Sequence, residues 1–218
     1  MEQRNFTIHK QVRLVSIAPA ETNRVQDVWL CLHGYGQLAV WFARNFAHLK
    51  DDKRMIIIPE GPHRFYLQGT EGRVGASWMT KEDRLVDIED QFHYLETLLE
   101  EHLQRHSPNV RIHVFGFSQG VATAMRWLER TNHKIDSLVC WAGSFPPDID
   151  YKRNRNRFAQ LNFHGCYGDN DPYIPLDKAN DMFTEIREQG IQMDIHFYVG
   201  EHKIYRDLLN EVVAACED

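Results

Sequence analysis

The chain has 218 residues, 43% hydrophobic and 26% charged, with a formal net charge of −6. That length suits one α/β domain, or at most two small ones, with a sizeable core. The negative balance removes any electrostatic case for nucleic acid or an anionic membrane surface as partner.

The N-terminus, MEQRNFTIHK, carries no apolar leader. No later run is long enough to span a bilayer, so a cytoplasmic protein without stable membrane insertion is expected. Phe6 to Ile17 reads as an extended opening, with a hairpin as one form it could take, and Phe6/Ile8 and Val12/Leu14 alternate. Val28 to Leu32 is a buried strand that ends in the glycine-rich loop His33-Gly34-Tyr35-Gly36. Leu38 to Leu49 reads as a helix, and Met55 to Ile58 as a strand stopped by Pro59. Gly61 to Thr80 is the one long irregular segment, rich in glycine and aromatics, and loops of that kind are commonly functional.

From Arg84 to about His102 a helix places Leu85, Ile88, Phe92, Leu95 and Leu99 on one face. Ile112, Val114 and Phe115 make a short apolar strand, followed by Gly116-Phe117-Ser118-Gln119-Gly120. Val121, Ala124, Met125 and Leu128 then recur at helical spacing. Leu138 to Trp141 is a strand, and the basic run Tyr151 to Phe158 reads as a solvated connection. Leu161 to Phe163 is a strand, Pro175 to Gln189 a helix, Met193 to Val199 the last strand, and Ile204 to Val213 opens a final amphipathic helix. Short apolar strands alternating with amphipathic helices predict an α/β fold over residues 1–218, a mostly parallel sheet with helices on both faces and no large cap domain. Cys31, Cys140, Cys166 and Cys216 are far apart and form no C-x-x-C, so they read as reduced core residues.

Strand, G-x-S-x-G, helix is the setting of a nucleophile elbow, in which a strained turn pushes the serine hydroxyl out of the sheet. In an open α/β sheet, ligands bind past the carboxyl ends of the strands. Ser118, the Asp169/Asp171 turn and His202 all fall at such ends, in the chain order of an α/β-hydrolase triad. A serine hydroxyl needs a neighbouring base, here His202, and an acid to orient that base. Asp169 and Asp171 compete for the last role; Asp171 is favoured because Pro172 fixes the backbone after it. The Gln119 N–H and an N–H of the Gly34–Gly36 loop, that of Tyr35, are the candidate oxyanion donors. Of the other histidines, His113 and His196 fall in strands, and His93, His102 and His106 on or just past a helix. His33 and His164 precede glycines in tight turns. No histidine–carboxylate spacing suggests a metal, and no cofactor is expected.

The pieces Leu32-His33-Gly34-Tyr35-Gly36, Pro59-Glu60-Gly61-Pro62, Gly75-Ala76-Ser77-Trp78, Gly116 to Gly120, Gly165 to Pro175 and Gly200-Glu201-His202 together resemble the phospholipase/carboxylesterase family of α/β-hydrolases, which includes acyl-protein thioesterases. The resemblance implies Ser118, Asp171 and His202 as the triad and places Trp78 near the acyl pocket. The family often has Asp where Gln37 stands, and Trp-Phe or Trp-Tyr where Trp78-Met79 stands. Trp41, Phe65, Tyr66 and Tyr173 are further candidates to line an apolar acyl site. The expected function is a serine carboxylester hydrolase with a shallow pocket for a small-molecule ester. A thioesterase or lysophospholipase, or a non-catalytic binding protein on the same fold, are the alternatives, and a homodimer stays open as the assembly.

Overall fold

A computed structural model describes residues 2, 4–104 and 109–218 of the chain. His106, expected on or just past a helix, lies outside them. The elements in chain order are β1 (Leu14–Ile17), β2 (Asp27–Leu32), α1 (Ala39–Phe42), β3 (Arg54–Pro59), β4 (His63–Tyr66), β5 (Val74–Ser77), α2 (Arg84–Leu103), β6 (Arg111–Phe117), α3 (Gln119–Arg130), β7 (Ser137–Trp141), α4 (Arg155–Ala159), β8 (Asn162–Gly168), α5 (Leu176–Glu188), β9 (Asp194–Tyr198) and α6 (Arg206–Glu217).

Seven strands form one sheet in the order β1-β3-β2-β6-β7-β8-β9. Only β1 runs antiparallel to its neighbour. β6 lies at the centre and is buried along almost its whole length, which is why it reads as an apolar run rather than an alternation. Its side chains still divide by the two-residue period. Ile112 and Val114 face one core with Leu95, Val121, Phe158 and Phe183, whereas Phe115 and Phe117 face the other with Phe42, Leu209 and Val212. Helices therefore cover both faces. After β2 the chain crosses to β3 on one side; after β6 it crosses to β7 on the other. The order reverses between β2 and β6, and the crevice at their carboxyl ends is the expected ligand position of such a sheet.

Four stretches depart from the sequence expectations. Residues 4–13 form no hairpin: regular structure begins at Leu14, and Phe6 and Ile8 are exposed. The segment 38–49 is one short helix and two 3₁₀ turns instead of a continuous helix. The Asn45 amide donates to the Phe42 carbonyl at 2.9 Å, while Phe46 N–H turns to Ala43 at 3.0 Å; a side chain competing for a helical carbonyl ends the regular ladder. The supposedly irregular segment 61–80 contains the antiparallel hairpin β4–β5. Its apolar alternation is weak in sequence, and Gly69 and Gly72, at φ +58° and +85°, turn the chain between the strands. The basic run ends in α4, anchored by buried Tyr151 and Phe158.

Trp78 requires the largest correction. Expected to face an acyl pocket, it is fully buried in the core cluster shared with Leu95 and Val121. Its indole N–H donates to the His33 carbonyl at 2.8 Å, and its own carbonyl accepts from the Gln91 amide at 2.9 Å. With its polar groups paired inside the protein, the ring has no surface to offer a substrate. Trp78→Ala should lower the unfolding free energy by about 3–5 kcal/mol in urea titrations; a loss below about 1 kcal/mol would contradict this burial.

Candidate active site

Ser118 links β6 to α3 at φ 53° and ψ −117°, a backbone conformation unusual for a residue with a side chain. Its N–H donates to Trp141 of β7 at 2.9 Å, and its carbonyl receives Val121 N–H at 3.0 Å. The flanking glycines are steric requirements. A Cβ at Gly116 would come within 2.7 Å of Val121 Cα, and one at Gly120 would collide with the Leu32 carbonyl at the end of β2. Gly34 also lies against the elbow: a Cβ there would be 3.1 Å from Ser118 Cβ.

His202 and Asp171 meet at the end of the same sheet. His202 Nδ1 is 2.7 Å from Asp171 Oδ2. The other oxygen, Oδ1, accepts from the N–H groups of Tyr173 and Ile174 at 2.8 and 3.1 Å. With its side chain wholly buried, Asp171 is committed to this geometry on both oxygens. The His202 ring lies between Phe117, at 4.9 Å between centroids, and Tyr173, at 4.8 Å. Phe117 immediately precedes Ser118, so the imidazole sits beside the elbow. Asp169 plays a different part. Its Oδ1 accepts Gly200 N–H at 2.8 Å and so holds the turn that presents His202.

The loop after β2 is held from three sides. Gln37 Oε1 accepts Gly34 N–H at 2.8 Å, Gly36 N–H reaches Ala76 of β5 at 2.8 Å, and Ala76 N–H returns to Gln37 at 3.2 Å. Gln119 is the first residue of α3, so its N–H lies among the helical donors with no acceptor inside the helix. His33 is fully buried and clips the loop to the end of β3. Its Nε2 accepts Gly61 N–H at 2.8 Å, which leaves Nδ1 as the donor to the Gly34 carbonyl, also at 2.8 Å. Burial holds the His33 pKa below the ordinary histidine value.

The remaining candidates disperse. Tyr35 and Phe65 pack at 5.0 Å between centroids, and both line a cavity of about 270 Å³ with Ser77 and Thr80. Trp41 lies under the Arg44 guanidinium at 3.9 Å and borders a different cavity of about 540 Å³, with Gln37, Asn45 and Arg73. Neither Ser118 nor His202 lines either cavity. Tyr66 is exposed on the hairpin, and Tyr173 is 70% exposed over His202. The four cysteines are free and buried; burial raises each thiol, that of Cys216 to about 12. Away from this edge, Glu96 and Glu100 of α2 and His133 bring three possible metal donors within 4.8 Å of one another, a grouping invisible in the sequence because His133 lies past α3, more than 30 residues from the two glutamates. The Gln119 side chain was also missed. Its Oε1 accepts Trp78 N–H at 3.0 Å and its Nε2 donates to the Met79 carbonyl at 2.9 Å, and no local pattern could announce contacts 41 and 40 residues away.

The sheet order, the elbow and the helices on both faces define an α/β-hydrolase. The profile of the Phospholipase/Carboxylesterase family matches residues 15–215, and the chain belongs to that family of ester-hydrolysing enzymes. Acyl-protein thioesterase 2 of Zea mays is similar in fold at TM-score 0.72 and 18% identity, covering 94% of this chain and 99% of its own. A phospholipase/carboxylesterase from Dyadobacter fermentans superposes at 0.69 with 16% identity, over 98% and 100% of the two chains. The Bacillus cereus carboxylesterase gives 0.65 and 15%, over 94% and 93%. No helix among the described residues is long and apolar enough to cross a membrane.

His33 and His164 are both buried with pKa values lowered chiefly by desolvation, that of His164 also by neighbouring His196. The folded state therefore resists protonation at sites the unfolded chain protonates near 6.5. Their contribution is complete above that pH and is lost as pH falls through it, by up to about 1.4 kcal/mol per pH unit for each histidine. Urea unfolding should accordingly report lower stability at pH 5.5 than at 7.5; a flat or rising profile would exclude this linkage.

Proposed function

We propose that the chain is a serine carboxylester hydrolase for small to medium acyl esters, a single α/β-hydrolase domain working through Ser118, His202 and Asp171. The observation that carries this reading is the 2.7 Å His202–Asp171 hydrogen bond at the sheet edge occupied by the Ser118 turn. Asp171 accepts the Nδ1–H, so the lone pair of His202 is on Nε2. That nitrogen takes the Ser118 proton as Oγ attacks the ester carbonyl. The carbonyl oxygen becomes an oxyanion, met by the N–H groups of Tyr35 and Gln119. The C–O bond breaks, the alcohol leaves with the proton from His202, and an acyl-serine remains. Water, deprotonated by the same imidazole, attacks the acyl carbon; the acid departs and Ser118 regains its proton. No metal or cofactor enters. The four free, buried thiols suit a reducing compartment, which supports a cytoplasmic location.

The same groups would hydrolyse a thioester or a lysophospholipid.

Ser118→Ala should lose up to about 10⁶-fold in kcat and all labelling by a fluorophosphonate. Asp171→Asn should lose about 10⁴-fold, and Asp169→Asn far less, because its carboxylate supports the loop and not the imidazole. Full activity in Ser118→Ala, or equal losses in the two aspartate variants, would overturn the assignment.

A p-nitrophenyl ester series measures the pocket. Each buried methylene contributes about 0.8 kcal/mol, roughly fourfold in kcat/KM, until the wall is reached. The rate should rise from acetate to butyrate or hexanoate and then fall. A preference for palmitoyl over butyryl esters would replace this substrate class with the long-chain one.

A further inference from the structure

Gly75 to Met79 touches both halves of the proposed oxyanion hole. On one side Ala76 makes a bridge to the Tyr35 loop, accepting Gly36 N–H at 2.8 Å and donating to Gln37 at 3.2 Å. On the other, the Gln119 carboxamide pairs with the peptide groups after β5: Trp78 N–H donates to its Oε1 at 3.0 Å, and its Nε2 donates to Met79 at 2.9 Å. The Ser77 hydroxyl, itself donating to Met79 at 2.8 Å, lies 3.1 Å from Nε2 and 3.2 Å from Oε1. The segment is in turn fixed from below by Gln91 on the Trp78 carbonyl and by the Trp78 indole on His33. A side chain at Gly75 would strike the Gly36 carbonyl at 2.5 Å, so strand and loop are as close as backbone permits.

A carboxamide that accepts from the N–H of one residue and donates to the carbonyl of the next stands in for a backbone peptide group at the bend after β5. We infer that the Gln119 side chain is a positioning residue for the hydrolysis. It ties the bend that follows β5 to the elbow, so that one segment, Gly75 to Met79, holds the Tyr35 and Gln119 N–H groups at a fixed separation. Gln119 thereby acts twice, through its backbone on the oxyanion and through its side chain on the place where that backbone sits. This inference rests on the serine-hydrolase reading above. Its energetic signature is specific. Donors aimed at the oxyanion stabilise the transition state more than the bound ester, so their displacement lowers kcat and leaves KM nearly alone.

The test compares wild type, Gln119→Met, Gln119→Glu and Ser77→Ala on p-nitrophenyl butyrate, with a trifluoromethyl ketone as the tetrahedral mimic. Gln119→Met keeps the side-chain length and removes the carboxamide's hydrogen bonds to Ser77, Trp78 and Met79. Loss of one oxyanion donor costs about 10²–10³-fold, so its displacement should cost about 10- to 100-fold in kcat, with KM within about twofold and ketone affinity falling in parallel. Gln119→Glu keeps an acceptor for Trp78 N–H but sets a carboxylate oxygen against the Met79 carbonyl and a negative charge beside the oxyanion, so its kcat should fall at least as far as that of Gln119→Met. Ser77→Ala removes the hydroxyl contacts to both ends of the carboxamide, loosens it without deleting it, and should lose several-fold in kcat alone; it decides the matter if Gln119→Met does not fold. A folded Gln119→Met with wild-type kcat, a loss confined to KM, or an unchanged kcat in Ser77→Ala when that variant must decide, would overturn the inference while the serine mechanism stands. A wild type that neither hydrolyses the ester nor takes a fluorophosphonate label would remove both.

Discussion

The site depends on how closely α3 begins against the end of β2. Gly120 presses its backbone onto the Leu32 carbonyl, and Gly116 presses onto Val121. Only hydrogen fits at either position. That contact forces the chain to turn within one residue, and Ser118 takes the strained conformation that results. It also sets the spacing between the Tyr35 loop, which follows β2, and the amide groups that open α3. Strain at Ser118 is tolerated because the flanking peptide groups are paired, to Trp141 before the residue and to Val121 after it. A looser approach would relax the serine and separate the two sets of donors together.

Much of this was legible in the sequence because it is governed by local rules. Glycines at 116 and 120 between a strand and a helix announce the elbow, and short apolar runs set between amphipathic helices announce the sheet. The acidic turn is a subtler case. Asp169 and Asp171 are two residues apart in one turn, and both accept hydrogen bonds from the His202 segment, one from its backbone at Gly200 and one from its imidazole. Composition cannot separate two carboxylates that serve the same loop.

What escaped was long-range. The family resemblance points Trp78 toward the acyl pocket, yet its partners His33 and Gln91 draw it inside. The β4–β5 hairpin was obscured by its glycines, which are there because Gly36 lies against Gly75 and because the turn needs positive φ. The Gln119 carboxamide was invisible for the same reason. Hydrogen bonds that join segments about 40 residues apart leave no period and no spacing to read.

The hairpin has two ends with different obligations. Its base, from Gly75 onward, is tied to the loop after β2 and to the elbow. Its tip, between Leu67 and Arg73, closes with a single backbone hydrogen bond of 2.8 Å and carries two glycines with open space around them. Length and composition can therefore vary at the tip without altering the ladder below it. A fold arranged in this way can exchange the surface it shows to a substrate while its chemistry is inherited unchanged.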